Sequence, residues 1–197
     1  RGTTTVADHP PFGLNVIDPW LAVSGGEDYD LATTRRSLEA MKAVGIPALE
    51  YSHALHWTDT ELAAVRAMTA EMGLYPWSLH CWVGGNVLED EGARTTRDYL
   101  KRAVNAAQGL EVGVIVHHAQ GRRLDDEGRR LLEVEAELLG DAAQPGVRFA
   151  LENVAGVPQW EYVIALVDLL GPDLAGCNVD TGHANLTPDL SPGLAIR

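Results

Sequence analysis

"VRFALENVAG", Val147–Gly156, is the stretch on which the fold turns. It is a short apolar run that ends in two polar residues, Glu152 and Asn153. Residues two apart along a strand share a face. The bulky Phe149 and Leu151 therefore lie together, as do Ala150 and Glu152. The first pair suits a covering layer of helices. The second puts a small residue, then a carboxylate, on the opposite face at the C-terminal end of the strand. A later run, "AGCNVD" from Ala175, repeats the arrangement: Cys177 and Val179 take the outer face, and Gly176, Asn178 and Asp180 the inner one.

Four more apolar runs have the same character: "FGLNVID" from Phe12, "IPALEYS" from Ile46, "LYPWSLHC" from Leu74 and "VGVIVHHA" from Val112. The six recur at intervals of roughly 30 to 40 residues, and each reads as a buried strand. Helical stretches lie between them. "DLATTRRSLEAMKAVG" places Leu31, Leu38, Met41 and Val44 on one side and stops at Gly45. "DTELAAVRAMTAEMG" is expected to start on an Asp59 cap, with Glu61 in its first turn, and to end at Gly73. "ARTTRDYLKRAVNAAQGL", "DEGRRLLEVEAELLGDAA" and "PQWEYVIALVDLLG" follow the same plan; the acidic "EVEAE" reads as a solvated face. Alternating strand and helix predicts an α/β fold of parallel strands with crossover helices. No linker or composition shift divides the chain, so 1–197 reads as one domain.

An open doubly wound sheet and a (β/α)8 barrel both fit alternation. A doubly wound nucleotide binder carries a Gly-rich turn after its first strand, and "DPWLAVSGGED" is not G-x-G-x-x-G. Polar residues gather instead at the strand ends: Asp18, Ser52 and His53, His80, His117 and His118, Glu152 and Asn153, Asp180 and His183. That is where barrel active sites lie. The (β/α)8 barrel is the expected fold, with about six of its eight strand–helix units present.

Glu152 and Asp180 thus converge from neighbouring strands, and His183 follows Asp180 by about one turn. Two carboxylates at one mouth can hold a divalent cation, act as an acid/base pair, or repel each other until a cation or proton intervenes; either one alone can also simply be hydrogen-bonded to a neighbouring loop. Imidazoles beside them favour a transition metal over calcium. The same alternation sets Ser78 with His80, and Ile115 with His117, so His80 and His117 are expected at the mouth. Trp20, Trp57 and Trp82 follow the first three strands and suit stacking on the apolar face of a ligand ring or capping of the helix layer. Trp77 reads as core, and His53, His56 and His118 as ordinary loop histidines.

These segments resemble the xylose isomerase-like TIM barrels, sugar and sugar-phosphate isomerases and epimerases together with AP endonuclease family 2. "LENVAG" is similar to the fifth-strand segment whose Glu ligates metal, and "VDTGHANL" to the sixth-strand D-x-x-H segment. "VIVHHAQG", with His117 in the His position, "SLHC" with "GGN", and "ALEYS" with Glu50 resemble the ends of strands four, three and two. Pro158 stands where the epimerases carry a further Glu. The resemblance implies metal ligation by Glu152 and Asp180, catalytic roles for Glu152 and His183, and substrate contacts from His183, His80, His117, Trp20 and Trp82. It implies a divalent metal (Mn, Co, Mg or Zn) and an α-hydroxy-carbonyl sugar that reacts through an enediolate. The family draws its remaining ligands from strands seven and eight, and a complete barrel runs to about 250 residues. The chain is therefore expected to be a C-terminally incomplete fragment. Two alternatives remain beside the isomerase: an AP endonuclease-type phosphodiesterase, and a barrel that catalyses nothing because it is incomplete.

Charge bears on that choice. A net charge of -13 repels phosphate backbones and anionic lipid, so neither nucleic acid nor membrane is an expected partner. No run reaches the roughly 18 apolar residues of a membrane span. Only Cys81 and Cys177 are present, which reads as a reduced, cytoplasmic protein. A small sugar is the expected partner, and a homo-oligomer is left open.

Overall fold

The computed structural model describes residues 12–16, 30–52, 54–81, 85–121, 123–154 and 160–186. Six strands alternate with helices: β1 (Leu14–Val16), α1 (Leu31–Ala43), β2 (Ala48–Tyr51), α2 (Asp59–Met72), β3 (Tyr75–Cys81), α3 (Asp90–Gly109), β4 (Val114–His118), α4 (Asp126–Ala142), β5 (Arg148–Glu152), α5 (Trp160–Leu170), β6 (Ala175–Asn178) and α6 (Thr181–Leu186). Every expected strand run carries a strand. The residues fall into two compact units, one up to His80 with Ala106–Gly113, the other Cys81–Asn105 with the chain from Val114 on. None of the described helices is long and apolar enough to cross a membrane.

In the first unit β1, β2 and β3 are parallel neighbours. The register slips after Leu49↔Pro76, so that Trp77 is passed over and Glu50 stands opposite Ser78. A proline has no N–H for the ladder, and an interruption beside it is where a bulge costs least. Trp77, expected in the core, is only half-buried. Helix α1 is capped by Asp30, whose Oδ1 accepts the Thr33 N–H at 2.6 Å. Leu38 and Met41 are buried as expected, but Val44 is 75% exposed, because it caps the C-terminus where the chain turns through Gly45 at φ 77. Thr33 and Thr34 are buried instead.

The cap of α2 is Thr58, not Asp59. The Thr58 hydroxyl accepts the Glu61 N–H, and the Glu61 carboxylate accepts the Thr58 N–H at 2.8 Å. This reciprocal pair satisfies two otherwise orphaned donors, and T-x-x-E is its sequence signature. Leu62, Val65, Met68, Thr69 and Met72 form the buried stripe. Tyr51 joins β2 to it through a hydrogen bond between its hydroxyl and that of Thr69 at 2.7 Å, and burial pushes its pKa up to about 12.

In the second unit β4, β5 and β6 are parallel and in register. Ile115, Phe149 and Ala175 share one level; His117, Leu151 and Cys177 share another. These side chains form one face, and all except Cys177 are buried. Val116, Ala150 and Gly176, then His118, Glu152 and Asn178, form the other face. The small Ala150 and Gly176 leave room beneath the polar strand ends. Asp125 caps α4 by accepting the Gly128 N–H at 2.9 Å.

Candidate metal centre

The site is built from the ends of β4, β5 and β6. Glu152 is 3% exposed and closes β5. Its Oε2 accepts a short hydrogen bond from the Asn178 side chain on β6. Its Oε1 is buried and receives no hydrogen bond of normal geometry. Yet two imidazole nitrogens stand close to that oxygen, His118 Nε2 at 3.1 Å and His183 Nδ1 at 3.4 Å. The distances allow an ion pair, but the angles do not make a hydrogen bond, and the angles decide whether the lone pair is satisfied.

Asp180 lies just past β6, and Asn153 holds it there from the end of β5. Asn153 Nδ2 donates to the Asp180 carbonyl at 3.0 Å, and its Oδ1 accepts the Asp180 N–H at 2.9 Å. Asp180 Oδ1 in turn accepts the His183 N–H at 2.6 Å, starting the short α6. His183 Nδ1 lies 2.8 Å from the Asn153 carbonyl oxygen. A carbonyl only accepts, so Nδ1 carries the proton, and a neutral ring then presents its lone pair at Nε2. The His118 and His183 rings meet edge to face at 5.6 Å between centroids.

Glu152, Asp180 and His183 can each offer a ligand atom within 4.8 Å of the other two. The hydrogen bond to Asn153 engages Nδ1 of His183, which leaves the two carboxylates as the groups best placed to take a cation. A carboxylate oxygen without a donor, a second carboxylate beside it and imidazole at the edge suit a hard-to-borderline divalent cation.

Of the other expected site residues, His117 is placed differently. His117 does not reach the mouth. It is fully buried on the face of Leu151, with Nε2 3.1 Å from Glu135 on α4. Alternation correctly paired it with Ile115, but that face belongs to the helix layer. His118, read as a loop histidine, takes the place beside Glu152. His80 belongs to the first unit, where its Nδ1 donates to Glu50 Oε1 at 3.0 Å. Glu50 also accepts from Asn15 at 2.5 Å and Ser78 at 2.7 Å, and Ser52 donates to Asn15 Oδ1 at 2.6 Å. Burial raises the Glu50 pKa, but the bonds from His80, Ser78 and Asn15 outweigh it and hold the carboxyl below its usual range. Trp57 is buried. Trp20, Trp82, Asp18, His53 and Pro158 lie outside the described residues, as does the side chain of His56.

Two residues with clear structural roles at this end of the unit carried little signal in the sequence. Asn153 was visible only as a polar strand end. Glu135 had none, since its neighbours Glu133 and Glu137 are exposed and it alone of the three is buried.

Solved structures share the architecture. A xylose isomerase domain protein from Planctomyces limnophilus superposes with a TM-score of 0.67 at 19% identity, over 81% of this chain and 63% of its own. An L-ribulose 3-epimerase gives 0.66 at 19% identity, over 86% and 61%. A sugar phosphate isomerase/epimerase from Parabacteroides distasonis gives 0.65 at 15% identity, over 91% and 68%. The chain spans about three fifths to two thirds of their lengths, and at these identities the likeness is one of fold. A search of curated proteins found no significant match. A family model described as the xylose isomerase-like TIM barrel matches residues 38–192, and the chain belongs to that family.

Proposed function

We propose that this chain is part of a divalent-metal-dependent isomerase or epimerase acting on a sugar or sugar phosphate. The observation that carries the reading is the orphaned Oε1 of Glu152, in a carboxylate that lies within 4.8 Å of that of Asp180. Glu152 and Asp180 would hold the cation. When bound, a divalent metal supplies Lewis-acid polarisation of an α-hydroxy-carbonyl and acidifies the adjacent C–H. His183, its Nδ1–H committed to Asn153, turns Nε2 to a substrate hydroxyl, which it orients and whose proton it can accept. Asn178 keeps the Glu152 carboxylate from rotating away. Epimerases among the structural neighbours, including a D-psicose 3-epimerase, support the reaction class. One family model running through both compact units supports reading 1–197 as a single domain. Two free cysteines are consistent with a cytoplasmic protein.

The second reading is a metal phosphodiesterase acting on abasic DNA. It draws on His118, a second imidazole beside Glu152. The net charge of -13 opposes it. One experiment separates the two. With Mn or Co added, the protein carrying this chain is incubated in deuterated water with a panel of ketoses, aldoses and their phosphates. Exchange of the carbon-bound α-proton is expected for at least one of them. Cleavage of abasic DNA with no exchange on any sugar would transfer the assignment to the phosphodiesterase.

A further inference from the structure

A second buried carboxylate lies behind the metal centre, on the helix side of β4. Glu135 of α4 is 1% exposed. Its Oε1 accepts from His117 Nε2 at 3.1 Å, its Oε2 accepts from the Tyr162 hydroxyl of α5 at 2.6 Å, and both oxygens lie 3.2 Å from the Gln120 N–H. Such a carboxylate is costly to bury unless its lone pairs are filled, and here three elements fill them. Burial, and then the neighbouring Glu135, push the Tyr162 hydroxyl far above its usual range, so it stays a donor. The turn after β4 is clamped on the same ring. A Cβ on Gly121 would stand 1.9 Å from Tyr162 Cε2, so only glycine fits there without a shift. His117 Nδ1 is buried with no hydrogen-bond partner. A ring donating from Nε2 therefore leaves a lone pair at Nδ1, which costs less than an orphaned N–H.

His117 and His118 are consecutive in β4, and consecutive strand residues point to opposite faces. Either could serve the mouth, since Ile115 and Val116 are equally apolar and do not favour one face. We propose that Glu135 is the positioning residue that decides between them. It draws His117 into the helix layer and fixes the turn at Gln120 and Gly121, and so directs His118 to Glu152, where Nε2 stands 3.1 Å from Oε1. Glu135 acts through His117 and the strand and touches no substrate. The proposal concerns the His118–Glu152 pair and rests on the metal-centre reading only in its second measurement.

The first measurement needs no metal. Long-range proton–nitrogen spectra of the imidazoles are recorded for the wild-type chain, with His117→Gln and His118→Asn to identify the two rings. His117 is expected as a locked Nε2–H tautomer. Glu135→Gln is expected to shift both the His117 and the His118 signals while thermal unfolding stays cooperative. Unshifted His118 signals in a folded Glu135→Gln chain would overturn the proposal. If that variant fails to fold, Tyr162→Phe replaces it, because it removes one donor and keeps the carboxylate. A smaller shift of both rings is then expected, and an unshifted His118 again overturns the proposal. The second measurement is Co titration. Glu135→Gln is expected to lose about tenfold in affinity, the scale of a residue that orients a ligand, with a changed visible spectrum at saturation. A wild-type chain that binds no Co would refute the metal centre alone, and the imidazole spectra would still decide the role of Glu135.

Discussion

Glu50 stands one residue before the end of β2 and Glu152 closes β5, and their surroundings treat them in opposite ways. Glu50 has donors on both oxygens: Asn15 and His80 on Oε1, Ser78 on Oε2. Glu152 is more deeply buried, yet only its Oε2 has a donor, and its Oε1 looks towards His118, His183 and Asp180 without one. A carboxylate whose lone pairs are filled by its own protein is stabilising and has little left for a ligand. One kept incompletely satisfied in a buried place is costly unless something else completes it. The contrast separates a carboxylate that its own protein satisfies from one that it leaves open, from hydrogen bonds alone.

Glu152→Gln should test the contrast most severely. It should lower Mn or Co affinity by at least about 10–100-fold by calorimetry, as should Asp180→Asn, because direct ligands should matter no less than the residues that orient them. Glu50→Gln should lower it less than either. An equal or larger loss from Glu50→Gln would erase the distinction.

His183→Asn sharpens the picture at the mouth. An asparagine amide can still donate to the Asn153 carbonyl but presents nothing in place of Nε2. Turnover is expected to fall by about 10²-fold or more, on the scale of a lost acid–base group, with metal affinity spared. Loss of metal equal to that of Glu152→Gln would make His183 a ligand.

Glu50 should reveal itself in acid. Its folded pKa is depressed below the ordinary value of 4.5 by His80, Ser78 and Asn15, against the opposing effect of burial. A depressed carboxylate contributes stability that is fully present above its unfolded pKa and is lost as pH falls through the folded one. The urea midpoint of Glu50→Gln should therefore lie below wild type near neutral pH, and the gap should narrow once pH drops under 4.5. A gap independent of pH would mean that the three bonds do not favour the charged form.

The smallest expected effect sets a baseline from an exposed carboxylate. Glu61 does no more than complete the Thr58 capping box. Thr58→Ala should cost about 1 kcal/mol by denaturant unfolding, with metal affinity unchanged.

Much of this was legible in the sequence. Period two in "RFALEN" correctly separated Phe149 and Leu151 from Glu152, because those side chains differ enough in size and polarity to label the two faces. Gly45 and Gly73 marked helix ends because the left-handed backbone there favours glycine, and T-x-x-E was present for α2 although Asp59 drew attention from it. In "VIVHH" alternation could say only that His117 goes with Ile115, not which face that is. Tertiary structure supplied the answer through Glu135, a helix residue that looks solvated until β4, the turn after it and α5 each bring a donor to it. Strand and helix periods are set by the local backbone, so they can be read along the chain. Whether a carboxylate is buried and filled, or buried and left open, depends on groups tens of residues away, and only the folded chain decides it.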